Sequence, residues 1–145
     1  GGEVGEILCV VKTRIGNCTP RLVELDGGLL VTEYHPIRVN GVWCFPVSLK
    51  EAKETPGVPY IYSFVMKSGH VMVINGVECV GLGHHFTDND VVTHPFFGSD
   101  EIVKCLKQMH GWSKGLVEFE EKPLLRNNVT HLVDAIRPAC EVVVM

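Results

Sequence analysis

Nothing in this sequence is long and apolar enough to span a bilayer as a helix; no uncharged run approaches the ~18 residues a crossing needs. A secretory leader is also missing, and the opening Gly1-Gly2-Glu3, without a methionine, reads as the start of a piece of a longer chain. Basic clusters are absent: 13 Lys and Arg are scattered against 17 Asp and Glu, for a net charge of -4. That balance argues against a nucleic-acid surface, so neither nucleic acid nor membrane is expected as a partner. With no Gly-rich phosphate loop and no paired carboxylates, small-molecule enzymology has no motif to rest on. No Cys-x-x-Cys pair and no His-x-x-x-His helix is present, so no metal and no cofactor is expected.

What the chain does have is core-forming material. Its 145 residues are 46% hydrophobic, enough for one domain with a real interior and too apolar for a disordered tail. The cysteines are Cys9, Cys18, Cys44, Cys79, Cys105 and Cys140, several within apolar runs such as Leu8-Cys9-Val10. Dispersed in this way, they read as buried free thiols rather than a disulfide framework, which favours a reducing intracellular compartment. The sequons Asn17-Cys18-Thr19 and Asn128-Val129-Thr130 matter only if the chain is secreted.

Turn chemistry divides the chain into short strands. Asp26-Gly27-Gly28, Asn40-Gly41 and Asn75-Gly76 each sit between apolar segments and supply the positive φ that hairpin turns need. They predict hairpins of residues 21–25 with 29–32, 37–39 with 42–45, and 70–74 with 77–82. Residues 4–12 and 60–66 are rich in β-branched and aromatic side chains and read as strands. The strand at 60–66 is expected to continue into the third hairpin as a meander. Residues 48–59, with Thr55-Pro56-Gly57, read as a long loop, residues 81–90 as a second loop, and residues 91–97 as extended. One helix is predicted: Ser99 or Asp100 caps it, and Ile102, Cys105, Leu106 and Met109 form its apolar stripe before His110-Gly111. Further short strands are expected at 115–119 and 128–136. The expected fold class is all-β, many short hairpins with one late α-helix.

Chemistry concentrates between residues 30 and 43. Leu30-Val31-Thr32 ends a strand, a bend carries His35-Pro36, and a return strand turns again at Asn40-Gly41. Thr32 and His35 lie across that bend, where both polar tips can converge on one backbone atom and activate a peptide bond. Other reactive groups have plainer readings. Cys9, flanked by Leu8 and Val10, is a poorly ionised core thiol rather than a nucleophile. Cys44 packs beside Trp43, Cys105 belongs to the helix stripe, and Cys79 alternates with Val77 as a core position. His84 is placed to bond the loop backbone or a neighbouring site, His94 to be satisfied locally, and His70 to lie on the surface.

The ordered series is more specific than any one motif. Leu30-Val31-Thr32-x-x-His35-Pro36 followed by Val39-Asn40-Gly41-Val42-Trp43-Cys44-Phe45-Pro46 resembles a conserved block of Hint domains, the self-cleaving modules of inteins and the hedgehog C-terminal region. The run from His70 through Asn75-Gly76-Val77-Glu78-Cys79-Val80-Gly81-Leu82-Gly83-His84 is similar to the last strands of that fold. Together with His94-Pro95-Phe96-Phe97-Gly98 and Gly111-Trp112, it resembles the Vint subgroup, found beside von Willebrand factor A domains. The resemblance covers residues 5–115. It implies a Hint/intein-like horseshoe of hairpins over residues 1–115, with 116–145 as a C-terminal extension or closing strands.

The resemblance also implies a chemistry. An N-terminal cysteine attacks the preceding carbonyl, the amide becomes a thioester, and a second nucleophile opens it. Thr32 would orient and polarise the scissile amide, and His35 would protonate the leaving nitrogen. Cys79, near a cysteine used in the hedgehog branch, would help relay the acyl group or a proton; His84 completes the expected catalytic set. The sequence departs from the pattern at its start, where no nucleophilic cysteine block stands. The isolated chain is therefore expected to be inactive. The partners implied are the flanking domains of its own precursor, a von Willebrand factor A domain among them, and a complementary N-terminal fragment. The alternative reading is a degenerate Hint fold retained as a non-catalytic interaction or structural module.

Overall fold

A computed structural model describes residues 6–15 and 19–119, together with the backbone of residues 124–126 and 133–136. Cys18, Cys140, Asn17 of the first sequon, the whole of the second and the first five residues lie outside the described residues.

Among the described residues the architecture is mostly β, with one α-helix. Strand β1 (Ile7–Arg14) forms the centre of a three-stranded sheet. One neighbour is β7 (Tyr60–Met66), antiparallel with Val10 opposite Phe64; the other is β10 (Leu116–Phe119), parallel with Val10 opposite Leu116. A second sheet centres on β2 (Arg21–Glu24), between β3 (Leu30–Thr32) and β6 (Lys53–Glu54). The third has four strands in the order β5 (Val42–Cys44), β4 (Ile37–Val39), β9 (Val77–Val80), β8 (Val71–Ile74). Strands β11 (Leu124–Arg126) and β12 (Val133–Ile136) pair with each other.

The two Asn-Gly turns decide the shape of the four-stranded sheet. Asn40 and Gly41 have φ of 52° and 80°, and Asn75 and Gly76 have 49° and 80°. Positive φ at both central residues matches the turn to the strand twist, so each hairpin closes tightly. The hairpins then join through β4 and β9, with Ile37 opposite Cys79.

Three apolar clusters hold the sheets. Cys9, Val11, Val65 and Val117 meet Ile102 and Leu106 of helix α1 (Asp100–Lys107). Ser99 caps this helix, its hydroxyl accepting the Glu101 N–H at 3.2 Å, and Asp100 and Glu101 complement the positive end of the dipole. Val23, Leu25, Val31, Ile37, Ala52 and Cys79 fill the space between the second and third sheets. Trp43, Val80 and Val92 form the third cluster, with Phe86 against it. Among the described residues, no helix is long and apolar enough to cross a membrane.

Four local expectations are corrected. Strand β7 does not continue into a meander with β8. It pairs with β1, because Val65 and Met66 bury toward that sheet, and positive φ at Gly69 and His70 redirects the chain. Residues 48–59 are not a bare loop: they follow a 3-10 turn (Pro46–Ser48) and contain β6, which adds to the edge of β2. Residues 91–97 are folded into turns rather than extended, since Asn89 Oδ1 accepts the Val91 N–H and Thr93 Oγ1 donates to Asn89 O. His70 is no surface residue, because its Nδ1 is buried without a hydrogen-bond partner and its ring meets Phe86 edge-on.

Candidate functional site

The polar bend is built by a strand end and a proline. β3 stops at Thr32, and the Thr32 carbonyl accepts the His35 N–H at 3.3 Å, closing a turn across Glu33 and Tyr34. The turn is braced from two sides. Val47 N–H reaches the Glu33 carbonyl at 3.2 Å, and the Tyr34 ring packs edge-on against Phe45 at 5.5 Å. Pro36 then leads into β4.

The His35 ring is anchored on the neighbouring hairpin. Its Nε2 lies 3.0 Å from the Val80 carbonyl oxygen, and the Val80 N–H reaches the Pro36 carbonyl at 3.3 Å. A carbonyl accepts only, so Nε2 carries the proton and Nδ1 is the basic nitrogen of the neutral ring. Burial pushes the His35 pKa down, and the Val80 carbonyl partly offsets this. A lowered pKa makes the imidazolium, once formed, a stronger acid toward a poor leaving group.

Cys79 sits one residue from that anchor but on the other side of the sheet. It is 5% exposed, packed with Val31 and Ile37, and its Sγ donates weakly to the Val77 carbonyl at 3.6 Å. Desolvation pushes its thiol up to about 11. A thiol so buried is neutral at pH 7, which opposes an acyl relay, since the thiolate is the nucleophile. Cys9 is wholly buried and its thiol is also raised by desolvation. Burial raises Cys44 as well.

His84 makes its contacts within its own loop. It is buried in its loop, with Nδ1 accepting the Phe86 N–H at 2.8 Å and its ring stacked on Phe86 at 5.0 Å. The imidazoles acting on it are His70, His85 and His94. Hydrogen bonds therefore join the Thr32 turn, His35 and the Val80 main chain, while Cys79 packs in the core cluster of Val31 and Ile37 and His84 is held by Phe86 in its own loop. Val80 was invisible to residue-type reasoning, since a backbone carbonyl has no side-chain signature; only the adjacency of its strand to β4 identifies it.

The histidines of the 84–94 loop are engaged within the protein. His85 Nε2 is taken by Asp100 at 2.8 Å, His84 Nδ1 by Phe86, and His94 Nδ1 by the N–H groups of Phe96 and Phe97. Among the described residues, no three His, Cys, Asp or Glu side chains converge as ligands.

No curated protein matches the chain. A family description does: the Vint model, a Hint domain, covers residues 2–135, most of the sequence. With the all-β hairpin architecture and the Thr32–His35 turn in place, the chain belongs to the Vint family of Hint domains, which are domains of autoprocessing type.

Proposed function

We propose that the domain processes its own precursor by an N-to-S acyl shift followed by thioester cleavage. The carrying observation is the fixed His35 ring, held at 3.0 Å on Val80 at the end of the Thr32 turn. In this reading a cysteine thiol attacks the carbonyl of the peptide bond that precedes it. Neutral His35 takes the thiol proton at Nδ1 and delivers it to the departing amide nitrogen, while Thr32 orients that amide. The carbon–nitrogen bond breaks, the carbon–sulfur bond replaces it, and the proton count is unchanged. Water or a second nucleophile then opens the thioester.

None of the described cysteines suits the attacking role. Cys9, Cys44 and Cys79 have thiols raised by burial, and Cys105 lies in α1 against the first core cluster. Cys18 and Cys140 lie outside the described residues, and in this reading another part of the precursor supplies the nucleophile. This same burial favours the second reading, a Hint fold used as a non-catalytic module, for the chain in isolation.

Hydroxylamine at neutral pH tests the proposal, because it opens thioesters while ordinary amides survive, and fragments cut at Asn40-Gly41 or Asn75-Gly76 are told apart by mass. Precursor protein carrying the domain should yield a hydroxamate-ended fragment, and the His35→Ala precursor should not. A folded wild-type precursor that gives no fragment would count against the acyl shift.

A further inference from the structure

The loop spanning residues 83–99 is closed by backbone bonds, Gly83 N–H to the Phe97 carbonyl at 2.6 Å and His85 N–H to the Gly98 carbonyl at 2.8 Å, and within it imidazole rings act as acceptors. His84, 4% exposed, receives the Phe86 N–H on Nδ1 at 2.8 Å. His94 repeats the device, its Nδ1 receiving the N–H groups of Phe96 at 3.1 Å and Phe97 at 2.9 Å. A ring nitrogen accepts only while it carries no proton. Protonating His84 would set an N–H directly against the Phe86 N–H, with both groups buried.

The pocket around His84 leaves no easy escape. A Cβ on Gly98 would lie 2.9 Å from its Cε1 and 3.1 Å from its Nε2, so the ring has little room to turn. The ionisable groups facing it are imidazoles: His70 from the turn ahead of β8, and His85 and His94 from its own loop. Helix α1 presents Asp100, and His85 occupies that carboxylate at 2.8 Å. A charge on His84 would thus meet like charges rather than a counter-ion.

We propose that His84 is an acid-released clasp whose protonation frees the Phe86 turn within loop 83–99 and loosens the packing of Phe86 on Trp43. The two rings now sit 5.8 Å apart. Burial first, then His70 and His85, push His84 down to about 4, whereas the freed ring returns to its ordinary 6.5; the Val92 backbone offsets part of the shift. The open state therefore binds more protons than the closed one between those values, and acid favours opening. Its population rises by up to about tenfold for each pH unit lost in that window. The device works whether or not the domain cleaves its precursor.

Amide hydrogen exchange across pH 7 to 5 tests it, with rates corrected for the pH dependence of intrinsic exchange. The Phe86 amide should lose protection by up to about tenfold per unit below roughly pH 6.5, while the α1 amides of Ile102 and Leu106 hold theirs. In His84→Asn, whose side-chain oxygen accepts the N–H two residues on without titrating, the Phe86 profile should be flat. Parallel loss in α1, an unchanged slope in the variant, or pH-independent Phe86 protection would each overturn the clasp. If the variant does not fold, the ring titration of His84 in the native protein decides. A midpoint near 4 supports the clasp and one near 6.5 refutes it.

Discussion

His35 reaches across to the neighbouring hairpin and meets the Val80 carbonyl at 3.0 Å, and the chain on either side repeats the link, Val80 N–H to Pro36 carbonyl, at 3.3 Å. The contact fixes the ring's tautomer and ties the Thr32 turn to β9. It makes the position of a titratable group depend on sheet pairing rather than on a flexible bend.

That dependence separates two substitutions. His35→Gln keeps a donor for Val80 but cannot carry a proton to the amide nitrogen, so precursor cleavage should fall by roughly 10²–10⁴-fold. Thermal unfolding should move little, because the bridging hydrogen bond is retained. A cleavage time course beside a melting curve checks both halves.

Cys79 should behave as a core residue. Alkylation of the native protein at pH 8 should leave Cys79 and Cys9 unmodified, whereas the unfolded chain reacts at both. Peptide mass mapping reads the difference, and rapid native labelling of Cys79 would contradict its burial.

The same thiol predicts an alkaline weakness. Its folded pKa, about 11, lies above the ordinary 9.0, so the folded state holds the proton more tightly. The stability it contributes is complete below pH 9 and is lost as pH rises from 9 toward 11. Urea midpoints across that range should fall less in Cys79→Ala than in the native protein, once the lower starting stability of the variant is taken into account.

Ile37 joins both hairpins and is fully buried, opposite Cys44 on one side and Cys79 on the other. Ile37→Ala should cost about 2–5 kcal/mol in denaturant unfolding. Gly98→Ala should also destabilise, by about 1–3 kcal/mol, since its Cβ would press on the His94 carbonyl at 2.8 Å and on the His84 ring.

The turns and the helix were legible in the sequence because their signals are local. Asn40-Gly41 and Asn75-Gly76 demand tight hairpins, and the stripe at Ile102 and Leu106 demands a buried helix face. Pairings between distant segments left no such mark. β10 adds parallel to β1 across most of the chain, and nothing in either strand names its partner. Residues 91–97 looked extended because Val91, Val92, Phe96 and Phe97 suit a strand; side-chain acceptors on Asn89 and His94 folded them instead. The Thr32–His35 bend was readable as a motif. Its anchor, Val80, was not, and the stacking of His84 on Phe86 follows from loop packing that residue types alone do not encode.

The central claim is that Thr32 and His35 activate a peptide bond that a cysteine elsewhere in the precursor attacks. The most direct measurement is a time course of precursor protein in hydroxylamine, with fragments identified by mass, set beside the purified 145-residue chain. The expected result is a hydroxamate-ended fragment from the precursor, its loss in His35→Ala, and no self-cleavage of the isolated chain. Cleavage that persists in His35→Ala, or self-cleavage of the isolated chain, would contradict it.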